Sequence, residues 1–125
     1  MFKVKVYYED TDSGGVVYYA NYLKYLERAR TEFLFEGGFT HTKLKDMYNI
    51  LIIVKSCNID YLKPAFLDDK LNVITLVEKK SKVQIILIQK IFRGETLIIE
   101  AKIKVAIVNT EGKVTRMPES LFNIF

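Results

Sequence analysis

Residues 3–8, Lys-Val-Lys-Val-Tyr-Tyr, set Val4, Val6 and Tyr8 on one face and Lys3, Lys5 and Tyr7 on the other, the two-residue period of a strand. Residues 9–15 then gather Asp, Thr, Ser and two Gly, which predicts a loop. Across residues 21–36 Tyr22, Leu26, Ala29 and Phe33 recur at helical spacing, Leu23, Tyr25 and Leu34 widen the stripe, and Gly37-Gly38 supplies a stop. Asn21 is the expected N-cap of this one long helix. A short helix fits within residues 40–49. Beyond it, residues 50–61, 69–79, 83–92 and 97–108 read as strands, with Pro64 breaking the chain between the first two and turn signals at 79–82, 93–95 and 109–113. The third run is apolar on both sides, as in a strand covered on both faces, while the fourth alternates cleanly from Leu97 to Ile107. Strand, loop, long helix and four strands predict an α+β domain with the helix laid on an antiparallel sheet. One helix cannot cover both faces of a sheet, so the open face or an edge strand predicts dimerisation.

Composition sharpens this. With 125 residues, 50% hydrophobic and 27% charged, the chain fits one domain spanning residues 1–125 and excludes disorder. A mean hydropathy of +0.08 is high for so small a core and again hints at a subunit interface. No apolar run approaches the roughly 20 residues of a membrane span. The charged, alternating start lacks the apolar core of a secretory signal, so a cytoplasmic location is expected. One cysteine, Cys57, and one histidine, His41, can form neither an internal disulfide nor a zinc cage, so no metal is expected. Nineteen Lys and Arg against fifteen Asp and Glu give a net +4, and the lysines are scattered; nucleic acid is not an expected partner. The one basic concentration, Lys79-Lys80-Ser81-Lys82, reads as a solvated turn, with contact to the phosphates of a nucleotide-like ligand as its functional alternative.

The densest polar cluster, Tyr8-Glu9-Asp10-Thr11-Asp12-Ser13-Gly14-Gly15, lies between the first strand and the long helix. A helix start carries unpaired N–H groups and the positive end of the dipole, so a carboxylate and a polarised carbonyl oxygen can both be served there. That combination suits acyl transfer or hydrolysis. An Asx turn with exposed loop charge explains the same residues. A calcium loop does not: counted from Asp10, the fifth position is Gly14 and the twelfth is Asn21. Of the remaining residues, His41 reads as an exposed bystander, Cys57 as a small buried residue, Tyr18, Tyr19, Tyr22 and Tyr25 as packing, and Glu32 with Arg28 as a helical ion pair.

The run 6–30, Val-Tyr-Tyr-Glu-Asp-Thr-Asp-Ser-Gly-Gly-Val-Val-Tyr-Tyr-Ala-Asn-Tyr-Leu-Lys-Tyr-Leu-Glu-Arg-Ala-Arg, resembles the hot-dog-fold acyl-CoA thioesterases, in particular the YbgC subgroup within the 4-hydroxybenzoyl-CoA thioesterase family. Asp60-Tyr61 through Pro64-Ala65 and Leu67-Asp68-Asp69 resemble the same subgroup, which carries the likeness over most of the chain. The resemblance implies a central helix on a curved antiparallel sheet of five to six strands. It implies hydrolysis of a thioester of coenzyme A or acyl carrier protein, with no cofactor beyond the coenzyme A of the substrate. It identifies Asp12 with the family's catalytic carboxylate, Tyr8 with its pocket tyrosine, and Tyr19 with the residue whose backbone N–H faces the thioester carbonyl. Gly15 and Val16 would shape the pocket wall, and Lys55, Lys63, Lys80, Lys82 and Arg93 are candidates for the carrier's phosphates. The subgroup usually carries His where this chain has Tyr19, so a side-chain role for that His is not carried over. A dimer or a dimer of dimers, hence a homotetramer, is expected. The alternatives are an acyl-binding or scaffold protein of this fold linked to the Tol-Pal envelope system, and a dehydratase, for which His41 is misplaced.

Overall fold

The computed structural model describes all 125 residues. A five-stranded antiparallel sheet, in the order β1-β3-β4-β5-β2, carries one long helix. Its strands are β1 (Phe2–Lys5), β2 (Leu51–Tyr61), β3 (Lys70–Lys80), β4 (Gln84–Arg93) and β5 (Thr96–Val108); the helices are α1 (Asn21–Glu36), α2 (His41–Tyr48) and the short α3 (Glu119–Phe122). All four strands after the long helix lie where the sequence placed them; β3–β4 and β4–β5 are hairpins closed by local turn residues, whereas β2 pairs with the distant β5 at the sheet edge. β5 buries Ile99, Ala101, Ile103, Val105 and Ile107 against Tyr22, Tyr25, Leu26 and Ala29 of α1 in one continuous core.

Gly38, at φ +91°, ends α1 in a Schellman arrangement in which Phe39 N–H reaches Leu34 O and Gly38 N–H reaches Phe35 O. The first strand is shorter than its alternation predicts. Tyr7 N–H donates to the Asp10 carboxylate at 2.9 Å and Asp10 N–H to Tyr7 O at 3.0 Å, which turns residues 8–10 into one turn of 3₁₀ helix and leaves Tyr8 outside the core.

β4 also departs from expectation. Ile85, Leu87, Gln89 and Ile91 are buried under α1, but the opposite face is only half-buried. There Ile86 and Ile88 lie across from Lys104 and Lys102, whose hydrocarbon stems shield them while the charges reach water, and Lys102 pairs with Glu78 at 3.1 Å. The expected Arg28–Glu32 ion pair is not among the chain's salt bridges.

Candidate active site

The Asp-Thr-Asp-Ser-Gly-Gly segment forms a tight hairpin ahead of α1. Asp12 N–H donates to Val16 O at 2.9 Å, Thr11 bridges Val17, and Tyr18 N–H reaches Asp10 O at 2.9 Å. Gly15 N–H closes the tip onto Asp12 O at 3.1 Å with φ +80°, a conformation that favours glycine. The Asp12 carboxylate accepts from Gly14 N–H at 2.8 Å, so the Asx turn is present and holds the side chain, which is exposed in the single chain.

Gly15 and Val16 fasten the hairpin to the Pro64–Asp69 turn. Val16 bridges Phe66, Gly15 O accepts from Leu67 N–H, and Val17 N–H donates to Ala65 O at 2.8 Å. From inside, the Tyr22 hydroxyl accepts from Ala65 N–H at 3.1 Å, and burial raises its pKa. Arg93 holds the far side of that turn, donating to Pro64 O at 2.9 Å and to the Asp69 carboxylate at 2.8 Å.

Helix α1 starts without a side-chain cap. Asn21 is its first residue rather than its cap: the Asn21 amide donates to Asp10 O at 2.8 Å and is spent pinning the hairpin. Ala20 occupies the cap position with nothing to offer the helix. Asn21, Tyr22 and Leu23 N–H turn back onto residues 18–20, whereas Tyr19 and Ala20 N–H donate to no group of the chain. The Asp12 arm thus leads into a helix start with free donors.

Around it lies an aromatic patch. The Tyr18 and Tyr19 rings are 5.0 Å apart, Tyr19 meets Tyr61 of β2 edge-on at 6.1 Å, and Tyr61 contacts Tyr22 at 5.8 Å. Tyr18 is 48% and Tyr19 61% exposed, so of the four tyrosines expected to pack only Tyr22 and Tyr25 do; Tyr8 is also exposed. Tyr61 was legible as strand but not as a site residue, since it reaches Tyr19 only because the end of β2 comes alongside the helix start.

The basic candidates separate. Lys63 and Arg93 lie beside the Pro64–Asp69 turn, at the Asp12 end of the sheet. Lys55 is exposed at the register shift of edge strand β2. Lys80 lies at the opposite end of β3, about 30 Å along the strand from that turn at the usual rise. Its ammonium donates to the carbonyls of Phe122 and Phe125, and Lys82 pairs with Glu119; within one chain both anchor the C-terminal helix. Cys57 is half-buried, and burial raises its thiol, which suits a packing residue. His41 is exposed, 3.1 Å from the Thr31 hydroxyl.

Tyr25 sits beneath the hairpin with its buried hydroxyl facing the Asp10 carboxylate; burial first and that carboxylate second raise its pKa.

Compared with known proteins, residues 6–125 match the family model described as the thioesterase-like superfamily. The chain belongs to that superfamily. It is a thioester hydrolase with the hot-dog fold expected from its sequence. This thioesterase is 44% identical over 108 residues to the acyl-CoA thioesterase YbgC of Haemophilus influenzae, covering 86% of this chain and 79% of that one. Over 120 residues it is 38% identical to the acyl-CoA thioester hydrolase YbgC of Escherichia coli, covering 94% and 89%. The crystal structure of a probable thioesterase from Bartonella henselae superposes with a TM-score of 0.90 at 36% identity, covering 94% of this chain and 97% of the other. No helix of this thioesterase is long and apolar enough to cross a membrane.

Proposed function

We propose that this thioesterase hydrolyses acyl-CoA thioesters, with acyl carrier protein as a second possible carrier, through Asp12 and the start of α1. The observation that carries the reading is the hairpin that holds the Asp12 carboxylate by Gly14 N–H and leads into a helix whose Tyr19 N–H is free. Either the carboxylate attacks the thioester carbonyl, forming a mixed anhydride that water then opens to the acid and free Asp12, or it takes a proton from water that attacks directly; in both, the Tyr19 N–H and the helix dipole stabilise the oxyanion as the carbon–sulfur bond breaks and the thiolate leaves. The phenyl rings of Tyr19 and Tyr61 and the exposed Tyr8 supply apolar surface for the substrate. Lys63 and Arg93 are the carrier-phosphate contacts the geometry favours, since they share the Asp12 end of the sheet; Lys55, Lys80 and Lys82 would need a partner protomer to bring them there. Hydrolysis needs no cofactor beyond the coenzyme A of the substrate.

The test is release of free thiol from a panel of aliphatic and aromatic acyl-CoA and acyl-carrier-protein substrates. Turnover of at least one is expected; an inert protein across the panel would overturn the reading in favour of an acyl-binding role. Label in Asp12 after a single turnover in ¹⁸O-water would assign attack by the carboxylate, because only an anhydride opened by water at the Asp12 carboxyl carbon deposits it there.

A homodimer or dimer of dimers in the cytoplasm is part of this proposal. The free edge strand β2 carries Ile53, Val54 and Tyr61 exposed to solvent, and unpaired apolar edges are strand-pairing surfaces. A lysine there opposes pairing, so Ile53→Lys is expected to turn a dimer into a monomer in sedimentation velocity; an unchanged assembly would move the interface elsewhere.

A further inference from the structure

Asn21, the first residue of α1, makes a side-chain bond that leaves the helix altogether. Its amide nitrogen donates to Asp10 O at 2.8 Å, and the same carbonyl accepts from Tyr18 N–H at 2.9 Å. One oxygen of the hairpin thus holds the chain on both sides of Tyr19 and Ala20, the two residues whose N–H groups are free. We infer that Asn21 is a positioning residue for thioester hydrolysis: by holding Asp10 O, it fixes the hairpin arm that carries Asp12 against the helix start that presents the Tyr19 N–H. The inference rests on the roles proposed for those two groups.

The other bonds of the region do not set that relation. Asp12 N–H to Val16 O, the Thr11–Val17 bridge and Tyr18 N–H to Asp10 O join the two arms of the hairpin to each other and stop short of the helix. The main-chain bonds that cross into α1 are local turns. Asn21 N–H reaches Tyr18 O at 2.8 Å, but Tyr22 N–H to Tyr19 O and Leu23 N–H to Ala20 O are long, at 3.4 and 3.3 Å. The Tyr22 hydroxyl ties the helix to Ala65, whose carbonyl takes Val17 N–H, so that tether holds the other arm. Tyr25, one turn further on, faces the Asp10 carboxylate, which leaves Asn21 as the α1 side chain bonded to the main chain of the Asp12 arm. The residue type agrees with this role. A carboxylate is ordinarily favoured in the first turn of a helix, yet α1 has none there. An acid at position 21 would compete with the oxyanion for the same positive end, whereas an amide leaves that end uncompensated and supplies the donor that the Asp10 carbonyl takes.

Asn21→Leu keeps the branched outline of the side chain and removes the donor. With an acyl-CoA that the wild type turns over, it is expected to lower kcat by about tenfold to a hundredfold, the upper figure being the cost of a misplacement of about 1 Å. KM is expected to stay within about twofold, because the bond serves the reacting groups and not the carrier. A thermal midpoint above the assay temperature shows that the variant is folded, and Asn21→Ala, which removes the same donor with a strong helix former, gives the same reading should the leucine variant not fold. A double-variant cycle separates positioning from a loss of folded protein. In Asp12→Asn, where the carboxylate is already gone, Asn21→Leu should cost less than about threefold more, whereas a smaller folded fraction would multiply through undiminished. The inference is overturned by a kcat within about threefold of wild type in a folded variant, by a loss carried in KM, or by the full loss reappearing in Asp12→Asn. Those results leave the role of Asp12 standing. Retention of activity by Asp12→Asn is the separate result that removes that role, and this inference with it.

Discussion

Asp12→Asn is expected to lower kcat for acyl-CoA hydrolysis by about a thousandfold, the middle of the range for a positioned acid or base, while the fold stays intact. The substitution removes the charge and little else. An Asn Oδ1 can still accept the Gly14 N–H that holds Asp12 at 2.8 Å, and the hairpin bonds at residues 10, 12, 15 and 18 are main-chain to main-chain. A thermal midpoint near wild type together with the lost rate would assign the defect to chemistry. Activity within tenfold of wild type would remove Asp12 from the mechanism. KM is expected to change little, because the carboxylate acts on the carbonyl carbon or on water and not on the carrier. Gly14→Ala is a useful companion: the added Cβ would meet Asp12 Oδ1 at 3.3 Å, so any loss there reports on the aim of the carboxylate rather than its charge.

The largest expected stability effect is far from that loop. Gln89→Met keeps the length of a fully buried side chain but deletes its bonds to Leu26 O, Thr75 Oγ1 and the Arg30 guanidinium. Three hydrogen bonds at about 1 kcal/mol each predict a loss of about 3 kcal/mol, the Arg30 guanidinium, Leu26 O and the Thr75 hydroxyl each losing a partner. Urea unfolding measures it, and a loss under about 1 kcal/mol would show that Arg30 is solvated by other means. Adding Arg30→Met to Gln89→Met should recover part of the loss, since the double variant buries no uncompensated charge. The same pair explains why a polar residue tolerates the middle of β4: Gln89 is the one buried side chain there that ties helix α1 to both β3 and its own strand.

The strands from residue 50 onward were readable because their turns are local and their alternation meets one buried face; Leu97 to Ile107 is the clearest case. Periodicity does not show which side chains pair with the backbone or lie across a neighbouring strand. Tyr8 continued a strand pattern, but the Asp10 carboxylate captured Tyr7 N–H and turned the chain out of the sheet. Asn21 had the chemistry of a cap but stands one residue inside α1, its amide nitrogen donating to Asp10 O, and Ala20 at the cap position offers the helix no acceptor. Ile86 and Ile88 looked fully covered because composition does not distinguish an apolar neighbour from a lysine stem lying across the strand.

By itself the sequence determined the order of elements, the family motif from Val6 to Arg30 and the placement of an acidic, glycine-containing loop ahead of the only long helix, since all of these depend on residues close together in the chain. Only the tertiary structure decided that Tyr61 stands beside Tyr19, that Lys80 and Lys82 hold the C-terminal helix while Arg93 braces the loop's support, and that Arg30 of α1 reaches Gln89 of β4. These are juxtapositions of residues 24 to 59 positions apart, or more, and sheet register and helix docking set them, not local periodicity.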